Sequence, residues 1–386
     1  MKLLQTFKEH PAVQKLQGAL REKLPVLTQR LKPLIDKIAP SLKKTETAKA
    51  AAPVRVFACD YGASKMLFLE VEMRPEGILV QTFRLVRRPK DAEQAVSAIR
   101  DAASAVPGCK IRLSLKGQSV IMRFIQLPKM GAEEMRSAIR FEAENYIPFK
   151  VDDVILDFSV LGEHKSEAGA DMADVLLVAA KKEEVYPLVK DFQDADVPIE
   201  FIDVDILASI NALHYFHSDL FAKSGLAFLD IGQDISSICV VGQGKPRFIR
   251  DLSFGSNDIV KRLRRKLGIT SEDAESFMDG SKQMTPEART VYAEACEAFC
   301  SDLKVTLDYH QAQSPDAGRV EMLFLGGGGD AELLKKVMHE NLSIPVEEIV
   351  AGDRIQLGPG VDQELFEKSK RLLPVALGLC LRGQGG

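Results

Sequence analysis

The stretch Leu226–Phe254, LAFLDIGQDISSICVVGQGKPRFIRDLSF, decides the fold. Leu226 to Ile231 is an almost continuous apolar run ending in Asp230-Ile231-Gly232, and Ser236 to Val241 is a second apolar run just beyond it. Short apolar runs bounded by turn residues read as strands, so the pair is a hairpin and the whole stretch reads as three consecutive strands. Gly232 lets backbone N–H groups approach an anion, Ser236 adds a hydroxyl, and Asp230 at the strand end is placed to hold a metal-bound water beside phosphates. An ordinary turn has the same local sequence, so the reading depends on further copies.

A second copy lies about 170 residues upstream in Phe57 to Val71, FACDYGASKMLFLEV. Asp60-x-Gly62 closes an apolar strand, Ser64 follows, and Met66 to Val71 returns as a second strand. A third glycine element, Gly326-Gly327-Gly328-Gly329, joins a strand at Val320 to Leu325 to a helix expected from Asp330 to Glu340. Consecutive glycines between a strand and a helix are poor stabilisers unless the backbone must approach something closely, as it would a nucleoside lying across the loop.

Two Asp-x-Gly hairpins followed by a late glycine-rich strand-to-helix loop resemble the two-lobed ATP-binding superfamily of actin, the large heat-shock chaperones and FtsA. Within it, Arg136 to Leu161, RSAIRFEAENYIPFKVDDVILDFSVL, is similar to the PilM family, with further likeness in Phe248 to Asp251 and Val375 to Leu379. The resemblance covers roughly residues 54 to 382. It implies an α/β, two-lobed actin-like ATPase fold with an inserted FtsA/PilM-type subdomain. The division expected is a basic extension and linker at 1–52, a first lobe at 53–225 with the insert at about 114–195, and a second lobe at 226–386.

The function implied is that of a cytoplasmic scaffold of type IV pilus or related type II secretion assembly, peripheral to the inner membrane and at most a slow ATPase. ATP or ADP with Mg²⁺ is expected at Asp60, Gly62, Ser64, Asp230, Gly232, Ser236, Gly326, Gly327 and Gly328, with Asp60 and Asp230 facing the metal through water. One position departs from the family. Five residues after Gly62, where PilM and FtsA usually carry a basic residue, stands Leu67. The resemblance further implies that the N-terminal peptide of a PilN-like single-span membrane protein is held between the first lobe and the insert, at Arg140, Glu142, Tyr146, Ile147, Phe149 and Asp157, with other pilus assembly proteins as further partners. The residues themselves agree in part: Glu142, Glu144 and Asp157 offer acceptors, and Pro148 stops a helix beside an apolar cluster that reads equally well as subdomain core.

The 386 residues, 46% hydrophobic and 27% charged, suffice for two or more domains. No window approaches the roughly 20 apolar residues of a spanning helix, and no secretory signal is recognisable, so the cytoplasm is the expected compartment. The six cysteines are scattered through apolar segments without CxxC pairing and read as reduced core residues. His214 and His217 read as surface or cap residues of a helix from Leu207 to His217.

Charge is segregated. The first 50 residues carry a net +7 within a chain of −4. Leu16, Leu20, Leu24, Leu27, Leu31, Leu34 and Ile38 recur there at helical spacing, interrupted by Pro11, Pro25, Pro33 and Pro40. A partly ordered tail and an amphipathic membrane-surface or partner-binding segment over residues 1–40 both fit this pattern.

Between the two hairpins, helices are expected at 92–105, 132–146 and 183–195, and strands at 110–115, 120–126, 154–161, 175–180 and 199–203. Glu163 to Asp174 reads as a flexible hairpin loop. Beyond the second hairpin, helices are expected at 257–266 and 286–313. The basic run Lys261 to Lys266 is a solvated helix face on an acidic body, which argues against nucleic acid. No Ser-His-Asp series, carboxylate pair or metal cluster emerges. A phosphotransferring enzyme such as a sugar kinase and an FtsA-like division protein are the alternatives. The first would need a catalytic base that the chain does not display, and the second conflicts with the Glu142 to Phe149 motif.

Overall fold

In the computed structural model, which describes residues 54–223, 225–313, 318–350 and 354–383, each Asp-x-Gly hairpin becomes the centre of a sheet. β1 (Val54–Tyr61), β2 (Lys65–Arg74) and β3 (Gly77–Arg87) form an antiparallel meander, as alternating apolar runs joined by short turns require. After α1 (Ala92–Ala103), capped by Asp91 on the Gln94 N–H at 2.9 Å, the chain returns as β4 (Ile111–Leu115), parallel to β1.

An inserted subdomain follows. β5 (Val120–Pro128), α2 (Ala132–Glu142), β6 (Val154–Lys165) and β7 (Asp171–Lys181) make a three-stranded sheet of order β5-β7-β6 with its own core around Met135, Ile139, Ile147, Val175 and Leu177. The chain leaves it through α3 (Lys182–Asp194) and β8 (Ile199–Val204), which pairs parallel with β4, then α4 (Asp205–Phe216) and α5 (Ser218–Lys223). Two expectations are corrected here. Glu163 to Asp174 is mostly strand, because β6 and β7 remain paired as far as Lys165 and Asp171, leaving only Ser166 to Ala170 as the turn. The helix expected to reach residue 146 tightens at Ala143–Asn145 into a 3₁₀ turn, which points Ile147 into the subdomain core.

The second lobe repeats the first. β9 (Gly225–Ile231), β10 (Ser236–Gly242) and β11 (Lys245–Leu252) form the meander. α6 (Ser256–Leu267), α7 (Ser271–Met278) and α8 (Pro286–Gln313) lead to β12 (Val320–Gly327), parallel to β9, and α9 (Ala331–Leu342) leads to β13 (Val346–Glu348). The order β11-β10-β9-β12-β13 matches β3-β2-β1-β4-β8 of the first sheet strand for strand.

The chain then leaves the second lobe, contrary to the expected 226–386 division. β14 (Ile355–Leu357) pairs parallel with β3 at the edge of the first sheet. After α10 (Gln363–Lys368), every residue of α11 (Leu373–Leu381) is buried, packed against α4 and the first sheet. An all-apolar helix can only be a core helix, and its own last turn needs partners. Arg112 on β4 supplies them, donating to the carbonyls of Leu379 at 3.1 Å, Cys380 at 3.0 Å and Arg382 at 3.2 Å.

All six cysteines are free thiols, and five are buried. His217 caps α4, its Nε2 2.9 Å from the Ile349 carbonyl oxygen. The basic extension and its expected contacts lie outside the described residues. Among the described residues no helix is long and apolar enough to cross a membrane.

Candidate functional site

The ends of β1, β4 and β9, the start of α4 and the loop after β12 converge on one solvent-open cleft that encloses about 1080 Å³ of space, open solvent included. Asp60, Gly62, Ser64, Asp230, Gly232, Gly327 and Gly328, all expected at the nucleotide, line it. Parallel pairing of β12 with β9 sets Gly327 opposite Ile231, so the glycine loop and the second Asp-x-Gly turn stand side by side although nearly a hundred residues separate them.

Gly327 (φ +86) is the position where glycine is required: a Cβ there would stand 2.1 Å from the Ile231 carbonyl oxygen. The first turn is closed by the Gly62 N–H donating to the Lys65 carbonyl at 2.9 Å, so that donor serves the turn.

Two expected residues are elsewhere. Ser236 is fully buried with its hydroxyl donating to the Phe254 carbonyl at 2.7 Å, and Gly326 backs onto the ring of Phe228 without lining the cleft. The reason for the first is strand parity. Ser236 pairs with Ile231 whereas Ser237 pairs with Asp230, and cross-strand partners share a face. Ser237 therefore lines the cleft, donating to Asp251 Oδ1 at 2.6 Å.

Lys116, Asp205 and Arg371 also line the cleft and escaped the sequence reading. The Lys116 ammonium stands 3.6 Å from Asp60 Oδ1 and 3.4 Å from Asp205 Oδ2. Asp60 also accepts from the Ser114 hydroxyl at 2.8 Å, which in turn accepts the Tyr61 N–H at 3.1 Å. Burial pulls the Lys116 pKa down, but the charges of Asp60, Asp205 and Asp230 outweigh it and hold the ammonium protonated. Burial pushes the Asp205 carboxyl up against the opposing pull of Lys116, and pushes Asp230 up to about 6. Arg371 donates to the Gly329 carbonyl, bracing the glycine loop. No local pattern marks Lys116, which follows an ordinary strand, or Asp205, which opens an ordinary helix.

Turns too tight for a side chain, a glycine loop at a helix start and Lys116 set among Asp60, Asp205 and Asp230 suit a polyphosphate with a hydrated divalent ion. Hard oxygen donors and a net negative setting fit Mg²⁺ held through water. Among the described residues no group of three acidic or other ligating side chains is close enough to hold a metal directly.

A second groove, of about 700 Å³, lies in the subdomain between α2, β6 and Lys182 at the start of α3. Of the six expected partner residues, Arg140 and Asp157 line it, beside Arg136, Asp152 and Phe158. Ile147 is core, Tyr146 and Phe149 pack half-buried against that core with the Lys181 ammonium over the Phe149 ring at 4.6 Å, and Glu142 accepts from the Asn145 side-chain amide at 2.7 Å. Glu144, read as an acceptor for a partner, takes the Val151 N–H at 3.1 Å.

Comparison with known proteins bears on both sites. The family model "Type IV pilus assembly protein PilM" matches residues 77–384. The structure titled "PilM-PilN type IV pilus biogenesis complex" is similar with a TM-score of 0.74 and 23% identity, over 86% of this chain and 100% of that one. The ethanolamine utilization protein EutJ from Carboxydothermus hydrogenoformans is similar with a TM-score of 0.51 and 14% identity, over 86% of this chain and 91% of that one. With the repeated sheet topology, these likenesses establish the two-lobed actin-like ATPase fold with an inserted subdomain.

Proposed function

Because the chain belongs to the PilM family of type IV pilus assembly proteins, we propose that it is an actin-like scaffold holding the N-terminal peptide of a PilN-like single-span protein at the cytoplasmic face of the inner membrane, with ATP or ADP and Mg²⁺ in the cleft between its lobes. The observation that carries the reading is the family match across 77–384, which includes the subdomain groove and most of the cleft. The groove supports it chemically. Arg136, Arg140 and Lys182 face Asp152 and Asp157 over a floor of Ile139, Val154 and Leu156, a surface for a peptide with both apolar and charged side chains. Apolar anchors at roughly 1.5 to 3 kcal/mol each, less the cost of ordering the peptide, give micromolar binding. Such strength suits a partner tethered at the same membrane, where effective concentration is high. Further pilus assembly proteins would join through the same membrane partner.

The test is titration of the N-terminal peptide of the adjacent-gene membrane protein into wild type, Arg140→Ala and Asp157→Ala. Both substitutions are at exposed side chains and should leave the fold intact, while peptide affinity falls roughly three- to tenfold in each, on the order of 1 kcal/mol. Undiminished binding in both would place the peptide elsewhere, and no binding to wild type would sink the partner reading.

A further inference from the structure

Leu67 lies directly across from Asp60 in the β1–β2 ladder, only 2% exposed and packed in the first-lobe core, so that neighbour gives the cleft no charge. The strand on the other side of Asp60 is β4, and Lys116 is the residue immediately after it. The lysine runs along the Asp60-x-Gly62 turn, since a Cβ on Gly62 would meet Lys116 Cε at 3.9 Å. Its ammonium is held mainly by charge. Its separations of 3.4 Å from Asp205 Oδ2 and 3.6 Å from Asp60 Oδ1 are long for a charge-assisted hydrogen bond, so both contacts are weak and leave N–H donor capacity for an entering ligand. The side chain is 30% exposed and lines the cleft beside both turns expected to meet phosphate.

We propose that Lys116 is a phosphate-binding cation of this cleft, supplied from the β4 side of Asp60, where the facing β2 residue is the apolar Leu67. In the ligand-free protein the ammonium offsets part of the charge of Asp60, Asp205 and Asp230. When a nucleoside di- or triphosphate enters, its oxygens become closer acceptors for the ammonium than the two carboxylates, through charge-assisted hydrogen bonds. The long contacts to Asp60 and Asp205 are weak enough for the ammonium to turn toward the phosphate, and its carboxylate neighbours keep it charged. The inference rests on the nucleotide reading of the cleft and names the residue on which that reading turns.

The test measures ADP binding in the presence of Mg²⁺ by calorimetry. Removing Lys116 alone would leave three aspartates unbalanced and endanger the fold, so the informative variant is Lys116→Met combined with Asp205→Asn, compared with Asp205→Asn alone and with Lys116→Arg. Circular dichroism and thermal unfolding establish that each is folded. The expected result is a loss of at least tenfold in ADP affinity in the double variant relative to Asp205→Asn, with Lys116→Arg within threefold of wild type. A folded double variant that binds within threefold of Asp205→Asn, or a Lys116→Arg protein that loses as much as the double variant, overturns the proposal. Failure of wild type to bind ADP overturns the nucleotide reading itself.

Discussion

No side chain separates Gly378 of α11 from Ala208 of α4: a Cβ on Gly378 would stand 1.7 Å from the Ala208 carbonyl oxygen and 2.4 Å from its carbon. This contact brings together two helices that serve the cleft. α4 opens with Asp205, and α11 follows directly on the segment that carries Arg371. Gly378→Ala should therefore force the helices apart, costing at least the roughly 1 to 3 kcal/mol of an overpacked core. Thermal unfolding should show a clear drop in midpoint, and nucleotide affinity should fall with it because both walls of the cleft move. An unchanged midpoint would show that the helices can separate without cost.

The glycine loop permits a cleaner division between folding and binding. Gly327→Ala places a side chain at φ +86 against the Ile231 carbonyl, and should cost roughly 1 to 3 kcal/mol from strain alone. Gly328 has room, because its nearest side-chain neighbour is Ser256 Cβ at 3.7 Å, an ordinary contact. Gly328→Ala should therefore unfold within about 0.5 kcal/mol of wild type, yet weaken ADP binding by intruding on the cleft. Equal stability losses in the two variants, read by urea titration, would contradict this assignment.

Acid stability should separate two buried groups of opposite sign. His310 is buried with neither ring nitrogen hydrogen-bonded, and burial lowers its pKa from 6.5; burial likewise lowers His217. A histidine held neutral contributes stability that is present above its unfolded pKa and is lost as pH falls below about 6.5. Asp230 acts the other way. Its carboxyl, raised by burial to about 6, is uncomfortable when charged, and that cost is relieved as pH falls through 6 toward the unfolded value near 3.8. Between pH 7 and 5, His310→Leu should lose less stability than wild type and Asp230→Asn should lose more. Parallel pH profiles for all three proteins, measured by denaturant unfolding, would show that neither group titrates as its surroundings imply.

Much of the fold was legible because its defining devices are local. An apolar strand, an Asp-x-Gly turn and a returning strand are encoded within about fifteen residues, where turn geometry and hydrogen-bond pairing are settled between neighbours in the chain. That is why both hairpins, the glycine loop and α8 fall close to where the residues place them. The subdomain was less legible at its tip, since polar residues from Glu163 to Asp174 are as compatible with an exposed edge hairpin as with a loop, and only pairing of β6 with β7 distinguishes them. Composition does not reveal parity, so the hydroxyl expected at the cleft, Ser236, is the buried neighbour of the one that lines it, Ser237. One residue of register decides which hydroxyl faces the cleft and which is buried.

The sequence by itself determined the repeated strand-turn-strand pattern, the family likeness and the two aspartates and glycine turns that border the cleft. Tertiary structure alone decided that Lys116 and Asp205 join them, that Arg371 braces the glycine loop, and that the chain from Ile355 to Leu381 returns to the first lobe. The difference is physical. Parallel pairing such as β14 on β3, or the meeting of α4 and α11, joins segments that are hundreds of residues or well over a hundred residues apart, and its energy depends on surfaces that exist only once both partners have folded. A lysine set among three carboxylates carries no local signature, because the field around it comes from strand and helix ends that are far apart in sequence and meet only in the folded protein.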